Sequence, residues 1–106
     1  MMNKLLNKVN VLADEELKMA NEQYPLFASD HEGAAVLLEE IEEAEDEMER
    51  IKSAYDILWR SIKHDMMSIR ELEPLRKHAT LCAAECIQVV AMCEKMKMSE
   101  ESRKEN

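Results

Sequence analysis

The stretch Ala79-Thr80-Leu81-Cys82-Ala83-Ala84-Glu85-Cys86-Ile87-Gln88-Val89-Val90-Ala91-Met92-Cys93 decides the fold. Only Thr80, Glu85 and Gln88 are polar in it. A helix that is apolar nearly all round is expected to be buried. A carboxylate there needs a compensator: a basic partner, a proton or a metal ion. Glu85 and Gln88 are spaced i, i+3, so their oxygens share one face. Upstream, Glu39-Glu40-Ile41-Glu42-Glu43 forms a dense acidic block. A hard divalent cation held between two helices, Mg²⁺ or Mn²⁺, is the simplest reason to set a buried Glu opposite such a block.

Working outward, the composition is that of an all-α protein. The chain has 106 residues, with one Gly and two Pro. That leaves little turn punctuation, so long helices are expected. Aromatics at 4% and sparse β-branched residues argue against a sheet. The length suits one domain, taken as residues 1–96 with a polar, frayed or disordered tail over 97–106. A domain this small gains from pairing with further copies.

The formal charge is −9. It speaks against sequence-independent binding to nucleic acid and against docking on anionic membrane. The imbalance is local: Asp30 to Glu49 holds ten acids and no Lys or Arg. No signal pattern opens the chain and no apolar stretch approaches a membrane span. Cys82, Cys86 and Cys93 suit neither a disulfide framework nor a zinc site and read as small buried hydrophobes. A reducing cytoplasm fits them.

The periodicity predicts a first helix from Asn3 to Gln23, with Leu5, Leu6, Val9, Leu12, Ala13, Leu17 and Ala20 as its stripe. Pro25 follows its end, and Phe27 anchors the connection. Ser29 or Asp30 caps a second helix. Its seam steps through Leu37, Ile41, Ala44, Met48, Ile51, Tyr55, Leu58 and Ile62, by fours and threes, to about Lys63. A short helical turn lies near Met67–Leu72. Pro74 suits the first turn of a third helix, Leu75 to Met96.

Each candidate has a plain counterpart. Acid-rich helices are often solvated faces, and Glu85 has Arg60 or Lys63 as alternative partners. The conjunction of the two acidic segments favours a cation.

These two segments resemble the motifs of the MazG-like, all-α nucleotide pyrophosphohydrolases. The family pairs Glu-Glu-x-x-Glu on one helix with Glu-x-x-Asp on a later one. The first is intact as Glu39-Glu40-Ile41-Glu42-Glu43. The second stands as Glu85-Cys86-Ile87-Gln88, with Gln where Asp is usual. The stretch His31-Glu32-Gly33-Ala34-Ala35-Val36-Leu37-Leu38 looks like a small phage- and bacteria-associated branch. The likeness covers roughly residues 27 to 96, and the 41 residues between the motifs exceed the family's commonest spacing.

The resemblance implies three long helices and a short one in a bundle completed by a homodimer or homotetramer. It implies hydrolysis of nucleoside triphosphates between the α and β phosphates, giving a monophosphate and pyrophosphate. Glu40, Glu43, Glu85 and Gln88 would hold Mg²⁺ or Mn²⁺. Glu39 would hold or deprotonate the attacking water. Lys52, Arg60, Lys63 and Lys95 are the groups for substrate phosphates, and His31 is a candidate either to touch the substrate or to cap the helix. Trp59 is a candidate for stacking on the base, as are Tyr55 and Phe27. The rival expectations are a non-catalytic helical interaction module and a relative that binds nucleotides without turnover because of Gln88.

Overall fold

The computed structural model describes residues 2–105; Met1 and Asn106 lie outside the described residues. The described residues are all-helical: α1 (Met2–Gln23), α2 (Asp30–Lys63), a 3₁₀ turn at Ile69–Glu71 and α3 (Leu72–Glu105). None of these helices is long and apolar enough to cross a membrane.

Local chemistry explains the ends. Ser29 caps α2: its Oγ accepts from the Glu32 N–H at 3.1 Å, the Ser-x-x-Glu pattern of a capping box. At the other end the Met66 N–H reaches the Ser61 carbonyl at 2.8 Å and the Asp65 N–H reaches that of Ile62 at 3.1 Å. Those are the paired bonds of a Schellman ending. Asp65 takes the left-handed position, φ 54°, where Gly is usual. Pro74 lies in the first turn of α3, where a missing N–H costs nothing.

The chain divides into two compact units, Met1–Ile41 with Cys86–Asn106, and Glu42–Glu85. In the first, Phe27, Ala91 and Met92 form a core, and Leu17, Ala20, Val36, Leu37 and Met96 pack against it. Gly33 lets α2 approach closely, because a Cβ there would meet Met96 and Phe27 at 3.1 Å. Ser99 is 1% exposed. Its Oγ accepts from the Phe27 N–H at 2.9 Å and donates to the Lys95 carbonyl at 2.7 Å. Arg103 donates to the Phe27 carbonyl at 2.8 Å and to Asp30 at 2.6 Å. The polar segment read as a frayed tail from Lys97 is therefore helix through Glu105. Side chains that look solvent-seeking in sequence are spent on the Phe27 backbone.

In the second unit α2 and α3 run antiparallel, joined by a ladder of polar contacts. Ser61 donates to Glu71 at 2.7 Å, Glu47 and His78 meet at 2.7 Å, and the Cys82 thiol reaches the Ala44 carbonyl at 3.5 Å. This corrects the seam expected from apolar spacing. Leu37, Ala44, Ile51 and Leu58 do face inward, but Ile41, Met48, Tyr55 and Ile62 are exposed. The inward positions between them are Glu40, Glu47, Ala54 and Ser61.

Two further readings change. The run around Glu85 is not enclosed within one chain: Leu81, Cys86, Val90 and Cys93 are exposed, and only Cys82 of the three thiols is buried. The amino-terminal half of the α1 stripe, Leu5, Leu6 and Leu12, is likewise exposed, whereas Ala13 is buried.

The hydrogen bond from His78, and with it the charge of Arg50, holds the Glu47 carboxyl below its ordinary value. A carboxyl depressed on folding adds stability above its unfolded value, and that contribution fades as pH falls through the folded value. Urea midpoints of the parent should therefore drop on acidification below the ordinary Glu range more than those of Glu47→Gln. Parallel curves for the two proteins would refute the pairing.

Candidate metal centre and groove

Glu43 and Glu85 lie in the antiparallel helix pair, and Glu40 precedes Glu43 by one turn of α2. Glu43 and Glu85, both in the second unit, each offer a carboxylate oxygen, and these lie within 4.8 Å of each other. Glu40 and Glu85 are half-buried and Glu43 is exposed. Glu40 occupies a seam position, and Glu85 falls on the same face of α3 as His78 and Cys82. Two carboxylate oxygens this close are the donor chemistry that hard divalent cations take.

A groove of about 540 Å³ opens in the first unit. Glu32, Val36, Glu39 and Glu40 line it from α2, at spacings that share one helix face. Gln88, Met92 and Lys95 line it from α3, at i, i+4 and i+7. Tyr24, Pro25 and Phe27 complete it from the connection. Lys95 is 3% exposed, and its ammonium sits 5.0 Å from the centre of the Phe27 ring. Among the described residues it forms no ion pair. A ring face offsets only part of the cost of burying a cation, so this ammonium is ready for an anion.

Of the sequence candidates, Glu39, Glu40, Gln88 and Lys95 come together in this groove. Lys52, Arg60, Lys63, His31 and Trp59 are exposed and line none of it. Lys63 lies over Trp59 instead, 6.0 Å from the ring centre. Gln88 spends its amide on α1, where Nε2 donates to Glu16 at 2.7 Å.

Sequence reading had not singled out Glu16, Glu32 or Tyr24. The signal for Glu16 was present, because it stands three residues after Ala13 and four before Ala20, on the buried face of α1. No protein-family profile, curated protein or solved structure matches this chain.

Proposed function

We propose that the chain is a metal-dependent nucleoside triphosphate pyrophosphohydrolase of the MazG-like kind, releasing a monophosphate and pyrophosphate. The observation that carries the reading is the approach of Glu43 and Glu85 within 4.8 Å, with Glu40 one turn before Glu43 on the same helix. These three would hold Mg²⁺ or Mn²⁺, with Gln88 one turn beyond Glu85. Such an ion neutralises phosphate oxygens and acidifies water. The chain's own residues do the rest. Glu39, on the groove wall beside Glu40, orients the attacking water and takes its proton. Lys95 meets the phosphates in a site shielded from solvent, where a charge–charge contact is stronger than in water. Tyr24 and Phe27 flank the part of the groove that suits a base.

A groove open on one side encloses a nucleotide poorly, and a second copy of the chain closes it. The exposed stripe Leu38, Ile41, Met48, Tyr55, Trp59 and Ile62 along α2 supports self-association. The same stripe is the observation behind a second reading, a helical interaction module without catalysis. Pyrophosphate release from a panel of ribo- and deoxyribonucleoside triphosphates, with Mg²⁺ and again with chelator, separates the two. Metal-dependent release from at least one nucleotide is expected. Silence across the panel sinks the enzyme.

A further inference from the structure

A second groove, of about 380 Å³, lies wholly within the unit Glu42–Glu85. It shares no lining residue with the groove of Lys95. From α2 come Arg50, Ser53, Ala54 and Ile57, whose i, i+3, i+4, i+7 spacing sets them on one helix face. The 3₁₀ turn adds Arg70 and Glu71, and α3 adds Pro74 and His78. Ala54, Ile57 and Pro74 form an apolar floor, and Ile57 is 55% exposed on it.

The charges around that floor are one-sided. Arg50, Arg70 and His78 are basic, in a chain of formal charge −9. Arg70 bonds to Ser68 through its backbone N–H alone, and among the described residues its guanidinium has no ion pair. Arg50 pairs with Glu47 at 2.7 Å, but it does so across one helical turn with 54% of its side chain exposed. Surface pairs of that kind are weak and easily exchanged for another anion. Glu47 keeps His78 at 2.7 Å when Arg50 turns away. The one acid of the groove is committed elsewhere: Glu71 Oε1 accepts from Ser61 at 2.7 Å, and its Oε2 is closed to solvent.

We propose that this groove binds a small amphipathic anion. Its apolar body lies on Ala54, Ile57 and Pro74, and its terminal carboxylate or phosphate is held by Arg70 and Arg50. An apolar lining with a few charged groups is the usual make-up of a small-molecule site, and this volume suits one. A guanidinium offers the planar fork that both oxyanions match. The site stands apart from the pyrophosphohydrolase reading and survives if that reading fails.

The experiment follows backbone amides of the whole chain by NMR during titration with phenyl phosphate and with phenylacetate. Benzyl alcohol supplies the body without the charge, and inorganic phosphate the charge without the body. Saturable shifts at Ala54, Ile57 and His78 are expected with the complete anions, and much weaker ones with either half. Arg70→Gln removes an exposed charge and should weaken binding about tenfold, the loss of one charged hydrogen bond. Lys77→Gln removes the same charge outside the lining and should bind as the parent does. The tighter of the two anions identifies the head group as a phosphate ester or a carboxylate. Absence of saturable shifts overturns the site, as do shifts confined to residues around Lys95. Parent-like affinity in Arg70→Gln overturns it too, and so does a half-ligand that binds as tightly as the complete anions.

Discussion

Glu85→Gln is expected to abolish the response to divalent cations and to cut pyrophosphate release about a thousandfold. A metal centre supplies several kcal/mol of charge stabilisation, and roughly 4 kcal/mol corresponds to three orders of magnitude in rate. The substitution keeps the shape of the side chain and replaces a carboxylate, whose oxygen lies within 4.8 Å of that of Glu43, by a neutral amide. The fold should survive it, because Glu85 is only half-buried. Thermal unfolding provides a readout without turnover. At about one hundred times the dissociation constant a ligand adds ~2.7 kcal/mol. For a chain near 100 residues that raises the melting temperature by roughly 10–20 °C. The parent should show the rise with Mn²⁺ and Glu85→Gln should not. Glu45→Gln, which removes an exposed acid outside the cluster, should behave as the parent. An equal rise in Glu85→Gln would mean that the ion binds elsewhere.

Ending the chain after Met96 is expected to lower stability by roughly 3–6 kcal/mol, a large share of the ~5–15 kcal/mol typical of a whole domain. The loss has named parts. Without Ser99 the Phe27 N–H is left buried with no acceptor, and an unsatisfied buried group costs about 1–3 kcal/mol. Without Arg103 the Phe27 carbonyl and Asp30 lose a charged donor, a bond in the range of about 1.5–3 kcal/mol. Phe27 is the centre of the first unit's core and the wall of the groove, so the damage reaches Lys95 as well. Urea unfolding of the shortened chain gives the answer, and hydrogen exchange at the Phe27 amide localises it. A midpoint equal to that of the full chain would show that residues beyond Met96 contribute nothing. Ser99→Ala should reproduce about a third to a half of the effect, as its share of the bonds implies.

The sequence was informative where the physics is local. Scarce Gly and Pro, Ser29 or Asp30 as a cap, and Pro74 in a first turn placed α2 at about Asp30–Lys63 and put the start of α3 within three residues. The i, i+3 spacings of Glu40 with Glu43 and of Glu85 with Gln88 follow from helical geometry, so their shared faces were legible as well. Composition by itself determined the all-α class.

Only the tertiary structure decided which face turned inward. On α2 the apolar residues outnumber the inward positions, and two stripes one residue apart, Ile41-Met48-Tyr55-Ile62 and Glu40-Glu47-Ala54-Ser61, compete for the same side of the helix. Hydropathy selects the first. Packing against α3 and the 3₁₀ turn selects the second, because His78 and Cys82 on α3 and Glu71 in the turn satisfy polar groups that an apolar partner would strand. The contacts of Lys95, Ser99 and Glu16 were hidden for the same reason. Each is a polar residue whose partner lies some seventy positions away or on a ring face. A chain read one window at a time holds no record of contacts made across that distance.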